Sequence, residues 1–144
     1  EDVKTAIHVS AYSLASLTMA CKPLMSSGGS VVGMTFDARQ SWPTYDWMGV
    51  AKSALESTSR YLARYLGPDG IRCNAVAPGG VITNIGGQML SRRAQERIGA
   101  AMFVTSPGVA TPEALAATIT WLLSPDAGNV NGAVVSSDGG WKAF

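Results

Sequence analysis

The chain is poor in the residues that build metal centres and disulfide frameworks. It has two cysteines, Cys21 and Cys73, far apart and in no metal-type spacing, and a single histidine, His8. Two such cysteines read as reduced, buried thiols of a cytosolic protein rather than as a disulfide. One histidine near the chain start, without clustered acids, supplies no ligand set for a metal. An excess of one charge is also missing: 11 Lys and Arg face 10 Asp and Glu, for a formal net charge of +1. That argues against a nucleic-acid binder and against a polybasic membrane anchor. There is no apolar run long enough to span a bilayer, no internal repeat and no low-complexity linker. The chain opens on Glu1 rather than Met and shows no signal-peptide pattern, so its start reads as that of a piece or a processed product. The most telling absence is a glycine-rich phosphate loop. No G-x-G-x-x-G stands at a strand-to-helix junction, and Gly28-Gly29 follows a helical stretch and precedes an extended one, which is the wrong context.

What is present is a globular composition, 47% hydrophobic and 15% charged over 144 residues, enough for one domain with a core. Residues 9–25, with Tyr12, Leu14, Leu17, Met19, Cys21, Leu24 and Met25, read as a mostly buried helix stopped by Ser26-Ser27-Gly28-Gly29. The unalternating apolar run 30–35 reads as a strand covered on both faces of a parallel sheet. Residues 36–44 form a loop, and 45–66 a long helix ended by Gly67-Pro68-Asp69-Gly70. Residues 71–76 read as a buried strand and Pro78-Gly79-Gly80 as a turn. Residues 84 to about 101 have a helical pattern broken at Gly86-Gly87, so they read as a mobile segment. Thr111-Pro112-Glu113 is a helix start, with Thr111 as N-cap and Pro112 in the first turn, and this helix runs to about Leu123. A last strand covers 133–136. The alternation gives an α/β fold: the C-terminal part of a doubly wound parallel sheet of Rossmann type, lacking the N-terminal nucleotide-binding strands, as one partial domain over 1–144.

Tyr45 and Lys52 are the residues most suited to chemistry. Seven residues are two helical turns, so both side chains fall on one face. An ammonium beside a phenol favours the phenolate and lowers the Tyr pKa, and it can also donate to ribose hydroxyls. Spacing alone leaves open that both are ordinary helix residues. Arg60 and Arg64, one turn apart, read as a solvated helix face, and Ser10, Ser13 and Ser16 as small packing residues.

The stretch Gly33-Met34-Thr35-Phe36, followed by Pro43-Thr44-Tyr45-Asp46-Trp47-Met48-Gly49-Val50-Ala51-Lys52-Ser53-Ala54-Leu55-Glu56, resembles the enoyl-acyl-carrier-protein reductases of bacterial fatty-acid synthesis, within the short-chain dehydrogenase/reductases. It is nearest to the type that acts on long acyl chains in mycolic-acid synthesis. Ordinary short-chain dehydrogenases use Tyr-x3-Lys with a Ser about thirteen residues before the Tyr. Here Gly49 stands four after Tyr45 and Val32 at the earlier position, whereas Tyr-x6-Lys and an aromatic residue before the Tyr, Phe36, suit the enoyl reductases. Residues 8–16, 70–77 and 132–140 are similar to the family's helix before the catalytic strand, its sixth strand and its final strand.

The resemblance implies that Tyr45 hydrogen-bonds an enoyl thioester carbonyl, that Lys52 holds the nicotinamide ribose of NADH, and that Phe36 sits beside nicotinamide and substrate. It places Met34 and Thr35 near the cofactor. Gly79, Val81 and Thr83 would lie in a cofactor loop, with the Val81 backbone on the carboxamide and Thr83 at the pyrophosphate. Trp47 and Met48 would lie beside the acyl site, although Met48 reads equally as core packing. The implied partners are an acyl carrier protein or acyl-CoA thioester and further copies of the chain, docked through helices 9–25 and 45–66, in the cytoplasm, with no nucleic acid and no membrane. Three features depart from the pattern. Pro78-Gly79-Gly80-Val81 resembles the loop of ordinary short-chain dehydrogenases, 84–109 is shorter than the long-chain enzyme's substrate loop, and the tail 131–141 suits either group. Two other readings therefore stand beside the first: a short-chain dehydrogenase acting on a carbonyl or alcohol, and a non-catalytic fragment or assembly module.

Overall fold

A computed structural model describes residues 1–42, 45–79 and 111–140. The chain enters as helix α1 (Asp2–Ile7), passes through a π-helical turn (His8–Tyr12) and continues as α2 (Ser13–Cys21), with a 3-10 turn at Lys22–Leu24. Strand β1 (Gly29–Met34) leads to the long helix α3 (Asp46–Leu66), whose 3-10 turn at Gly67–Asp69 feeds β2 (Ile71–Pro78). Helix α4 (Pro112–Leu123) and a 3-10 turn at Pro125–Ala127 precede β3 (Val134–Ser137). The strands pair in parallel in the order β1-β2-β3, with Met34 opposite Val76 and Pro78 opposite Ser137.

Side chains alternate across the sheet, as the pleat requires. On one face Cys73 and Ala75 of β2 meet Leu55, Leu62, Ala63 and Leu66 of α3 together with Leu14 of α2. On the other, Val76 packs with Leu115 and Leu122 of α4, Val32 and Val135. The core is thus two apolar seams, one on each face of β2, which is the most completely covered strand. At Gly33 the side chains of α2 and α3 come close to the β1 backbone. A Cβ there would lie 3.3 Å from Leu14 and 3.4 Å from Leu55.

The α/β alternation, the parallel sheet and the helix over 45–66 agree with the expectation. Thr111 caps α4 as expected, its hydroxyl accepting from the Ala114 N–H at 3.2 Å, with Pro112 in the first turn. The first helix is corrected twice. It begins at Asp2, and it is not mostly buried: of residues 9–21 only Ala11 and Thr18 are buried, while Val9, Tyr12, Leu17 and Met19 are exposed. A helix lying on one face of a sheet covers a single stripe, whatever the total of its apolar residues. Cys21 is exposed for the same reason, whereas Cys73 is buried in the sheet, and both are free thiols. Strand β1 is only half-covered along most of its length, not enclosed on both faces. Pro78 belongs to the end of β2 rather than to a turn, because β3 reaches far enough to pair with it.

Polar side chains fix the return from α4 to β3. Arg72 donates to the carbonyls of Val130 and Ser124 at 3.3 and 2.9 Å. The fully buried Asn74 donates to the Val130 carbonyl at 2.8 Å and accepts from the Ala133 N–H at 3.0 Å. Asn131 accepts from the Cys73 N–H and donates to the Ala63 carbonyl. Replacing Asn74 by Ala removes the partner of the Ala133 N–H and leaves the Val130 carbonyl with Arg72 alone, at a cost of about 1–3 kcal/mol. The expected result in urea denaturation is a lower midpoint at unchanged slope.

Candidate active site

The C-terminal end of β1 and the start of α3 face each other and carry most of the expected residues. Met34 ends the strand, and Thr35 extends its pairing by one residue through a 2.9 Å bond from its N–H to the Val76 carbonyl. Phe36 follows, and its ring lies 4.7 Å from that of Tyr45 in a tilted arrangement and 5.9 Å from Trp42 edge-on. Tyr45 is the N-cap of α3, and its carbonyl accepts from the Met48 N–H at 2.8 Å. The next residue, Asp46, has φ 35°, a left-handed backbone that Asp tolerates better than most side chains. The chain therefore turns sharply into the helix directly after the tyrosine.

Lys52 sits two turns along, and its ammonium donates to the Met34 carbonyl at 3.0 Å. An ammonium has three donors, so two remain for a ligand. Ser53 lies within donor distance of the Ala38 carbonyl (3.3 Å) and of the Gly49 carbonyl. Phe36, Tyr45 and Lys52 are thereby gathered at the carboxyl end of a parallel strand, where open α/β sheets bind their ligands.

The electrostatics differ from the expectation. Tyr45 is half-buried, and desolvation pushes its phenol above the ordinary value of 10.0 rather than below it. Burial likewise pushes the Lys52 amine below 10.5. Both shifts favour the neutral form, which is what loss of water does to either sign of charge. The Lys52 ammonium is committed to a backbone carbonyl, and burial decides the state of the phenol.

Gly79 lies at the end of β2, against the exit of β3. A Cβ there would lie 2.8 Å from the Asp138 backbone, so a side chain has no room without moving the strand end. Met48 is half-buried and takes a contact from the Ser10 hydroxyl at 3.7 Å, whereas Trp47 is 55% exposed. Val81, Thr83 and the segment 84–110 lie outside the described residues. Among the described residues no group of three His, Cys, Asp or Glu could hold a metal, and no helix is long and apolar enough to cross a membrane.

Two buried carboxylates belong to the site although sequence reasoning assigned them no role. Asp37 accepts from the N–H and Nε of Arg39, each at 3.3 Å, and its carbonyl accepts from the Trp42 indole at 3.1 Å. Glu56 is bonded to the Thr35 hydroxyl at 3.0 Å. Their position within otherwise apolar or turn-forming stretches is the only signal in the sequence, and it does not say which partner each acid finds.

A family model described as enoyl-(acyl carrier protein) reductase matches residues 1–142. The chain belongs to this family. An enoyl-[acyl-carrier-protein] reductase [NADH] of Mycolicibacterium smegmatis is 39% identical over 97% of the chain and 56% of its own length. One of Mycobacterium avium is 51% identical over 68% of the chain and 38% of its own length. A relative of the same activity name from Synechocystis is 45% identical over 58% of the chain and 33% of its own length. The chain thus spans about half the length, or less, of the curated relatives it matches. Membership in the enoyl reductase family accords with Tyr-x6-Lys and Phe36.

The raised phenol has a measurable consequence. Because the folded state holds the Tyr45 proton more tightly than the unfolded state, its contribution to stability is full below pH 10. It is lost as pH rises through the folded value. The difference between the phenolate absorbance titrations of wild type and Tyr45→Phe is expected to lie above pH 10.0. A difference centred below it would contradict the dominance of burial.

Proposed function

We propose that the protein carrying this chain reduces trans-2-enoyl thioesters, borne on acyl carrier protein or coenzyme A, with NADH as reductant in fatty-acid synthesis. The observation that carries the reading is the convergence of Phe36, Tyr45 and Lys52 at the end of β1 in a member of the enoyl reductase family. The residues present fit a nicotinamide nucleotide. The two uncommitted donors of Lys52 suit a ribose diol, and Phe36 and Tyr45 offer an aromatic wall. When bound, the reduced nicotinamide supplies the hydride.

The chain's own residues supply orientation and charge stabilisation. Tyr45 donates a hydrogen bond to the thioester oxygen, on which negative charge develops. A half-buried phenol that keeps its proton is suited to that donor role. Lys52 would hold the ribose, with Met34 and Thr35 near the cofactor. Phe36 directs the approach of the enoyl group, and Trp47 and Met48 border the acyl chain. Gly79, the Val81 backbone and Thr83 complete the cofactor loop. In this reading 84–110 is the substrate-binding segment.

Self-association and a cytoplasmic location belong to the same reading. Exposed apolar side chains run along the first helix as Val9, Tyr12, Leu17 and Met19, and along α3 as Trp47, Val50, Tyr61 and Tyr65. Rows of this kind on two neighbouring helices support docking against another copy. Light scattering is expected to find an oligomer that Tyr61→Glu with Tyr65→Glu converts to monomer. An unchanged mass would remove helices 9–25 and 45–66 as the interface.

The catalytic reading is tested with crotonyl-CoA and acetoacetyl-CoA, followed by NADH absorbance. The 144-residue chain alone is expected to bind NADH weakly and not to turn over. Fusion to the N-terminal half of the Mycolicibacterium smegmatis relative is expected to restore crotonyl-CoA reduction. Tyr45→Phe in that fusion then lowers kcat by about 100-fold or more. Reduction of acetoacetyl-CoA alone would overturn the enoyl assignment in favour of carbonyl chemistry. Tight, stoichiometric NADH binding by the isolated chain would overturn the need for a second half.

A further inference from the structure

We propose that Glu56 is a positioning residue, which holds Lys52 and the Phe36 loop in register by gripping the Thr35 hydroxyl. The roles of Lys52 and Phe36 rest on the function proposed above; the grip itself does not.

Glu56 lies on α3 one turn beyond Lys52, so the two side chains share a helix face. It is 8% exposed, with Leu55, Ser59 and Leu62 also buried on the same helix. A carboxylate withdrawn from water at such a position is unfavourable unless it is hydrogen-bonded. Its Oε1 meets Thr35 Oγ1 at 3.0 Å, and Thr35 is itself 4% exposed. Lys52 takes the carbonyl of the preceding residue, Met34, at 3.0 Å. Two side chains one turn apart therefore hold two consecutive residues at the end of β1.

The backbone of Thr35 is already fixed to β2 through the Val76 carbonyl. The grip thus ties the helix to the sheet rather than to a loose loop. Apolar contact between α3 and the sheet is non-directional and leaves some freedom to slide. A directional hydrogen bond to a buried carboxylate restricts that freedom at the level of Lys52.

The hydroxyl also lies 3.0 Å from the Phe36 carbonyl. Thr35 has one hydrogen for two acceptors, and an ionised carboxylate is the stronger of them. Glu56 thereby sets the direction of the hydroxyl at the root of the Phe36 loop.

The test is an NMR titration of the Lys52 side chain in the full chain, without ligand. Glu56→Leu and Thr35→Val break the bond, whereas Glu56→Gln and Thr35→Ser keep it. The sign of the change separates positioning from simple charge. Loss of a nearby carboxylate, acting only through space, lowers the pKa of an ammonium. Release of Lys52 into water instead raises it toward its ordinary value of 10.5. The expected result is a rise of about half a unit or more in the bond-breaking variants, and none in the conservative ones. Cooperative urea unfolding identifies the folded variants, and Thr35→Val, which alters no charge, decides the matter if Glu56→Leu does not fold.

A Lys52 titration unmoved or lowered in a folded bond-breaking variant would overturn the proposal. So would an equal rise in the conservative pair. Failure of the NADH and crotonyl-CoA experiments would remove the enzymatic reading and leave this titration interpretable. A null titration in a fusion that turns over would remove only the role of Glu56.

Discussion

The arrangement depends on how α3 is held against the sheet. Its apolar stripe, Leu55, Leu62, Ala63 and Leu66, is buried against Ile71, Cys73 and Ala75, and this decides which side of the sheet the helix occupies. Apolar burial is proportional to area and indifferent to direction, so it does not by itself choose the helix's axial position. The polar contacts nearer the N-terminus of α3 do that: Lys52 on the Met34 carbonyl, Ser53 toward the Ala38 carbonyl, and Glu56 on Thr35. Gly33 lets Leu14 and Leu55 approach the strand without displacement. Tyr45, at the end of this helix, inherits its place from all of them.

Burial then sets the chemistry available. At the half-buried end of β1 both a phenol and an amine are driven toward their neutral forms, Tyr45 upward and Lys52 downward in pKa. A tyrosine in that state is a hydrogen-bond donor over the whole physiological range. Its aromatic neighbour Phe36 is itself set by a short, tightly bonded loop, in which the buried Asp37 gathers Arg39 and Trp42. The site is therefore a shelf built from one strand end and one helix start, with Gly79 of the neighbouring strand beside it.

Much of this was legible in the sequence. Tyr45, Lys52 and Phe36 were recognisable from spacing together with family resemblance, and the structure brings them to one strand end. The cap at Thr111 was readable because capping is local, needing only a side-chain oxygen three residues before an N–H. Glu56 and Asp37 were not readable as site residues, because their partners, Thr35 and the Arg39–Trp42 loop, are chosen by how chain segments meet. The burial of residues 9–25 was misjudged because hydrophobicity counts residues, whereas exposure depends on how many faces a neighbour covers. Tyr12 and Leu17 are as apolar in sequence as they would be in a core.

By itself, then, the sequence determined the α/β alternation, the family and the identity of the aromatic and cationic groups, all of which follow from local pattern and motif. Tertiary structure alone decided the protonation tendencies of Tyr45 and Lys52, which depend on water withdrawn by residues distant along the chain. It also decided the partnership of Glu56 with Thr35, 21 residues apart. A hydrogen bond of that span exists only once strand and helix have packed, and no spacing rule within a single element encodes it.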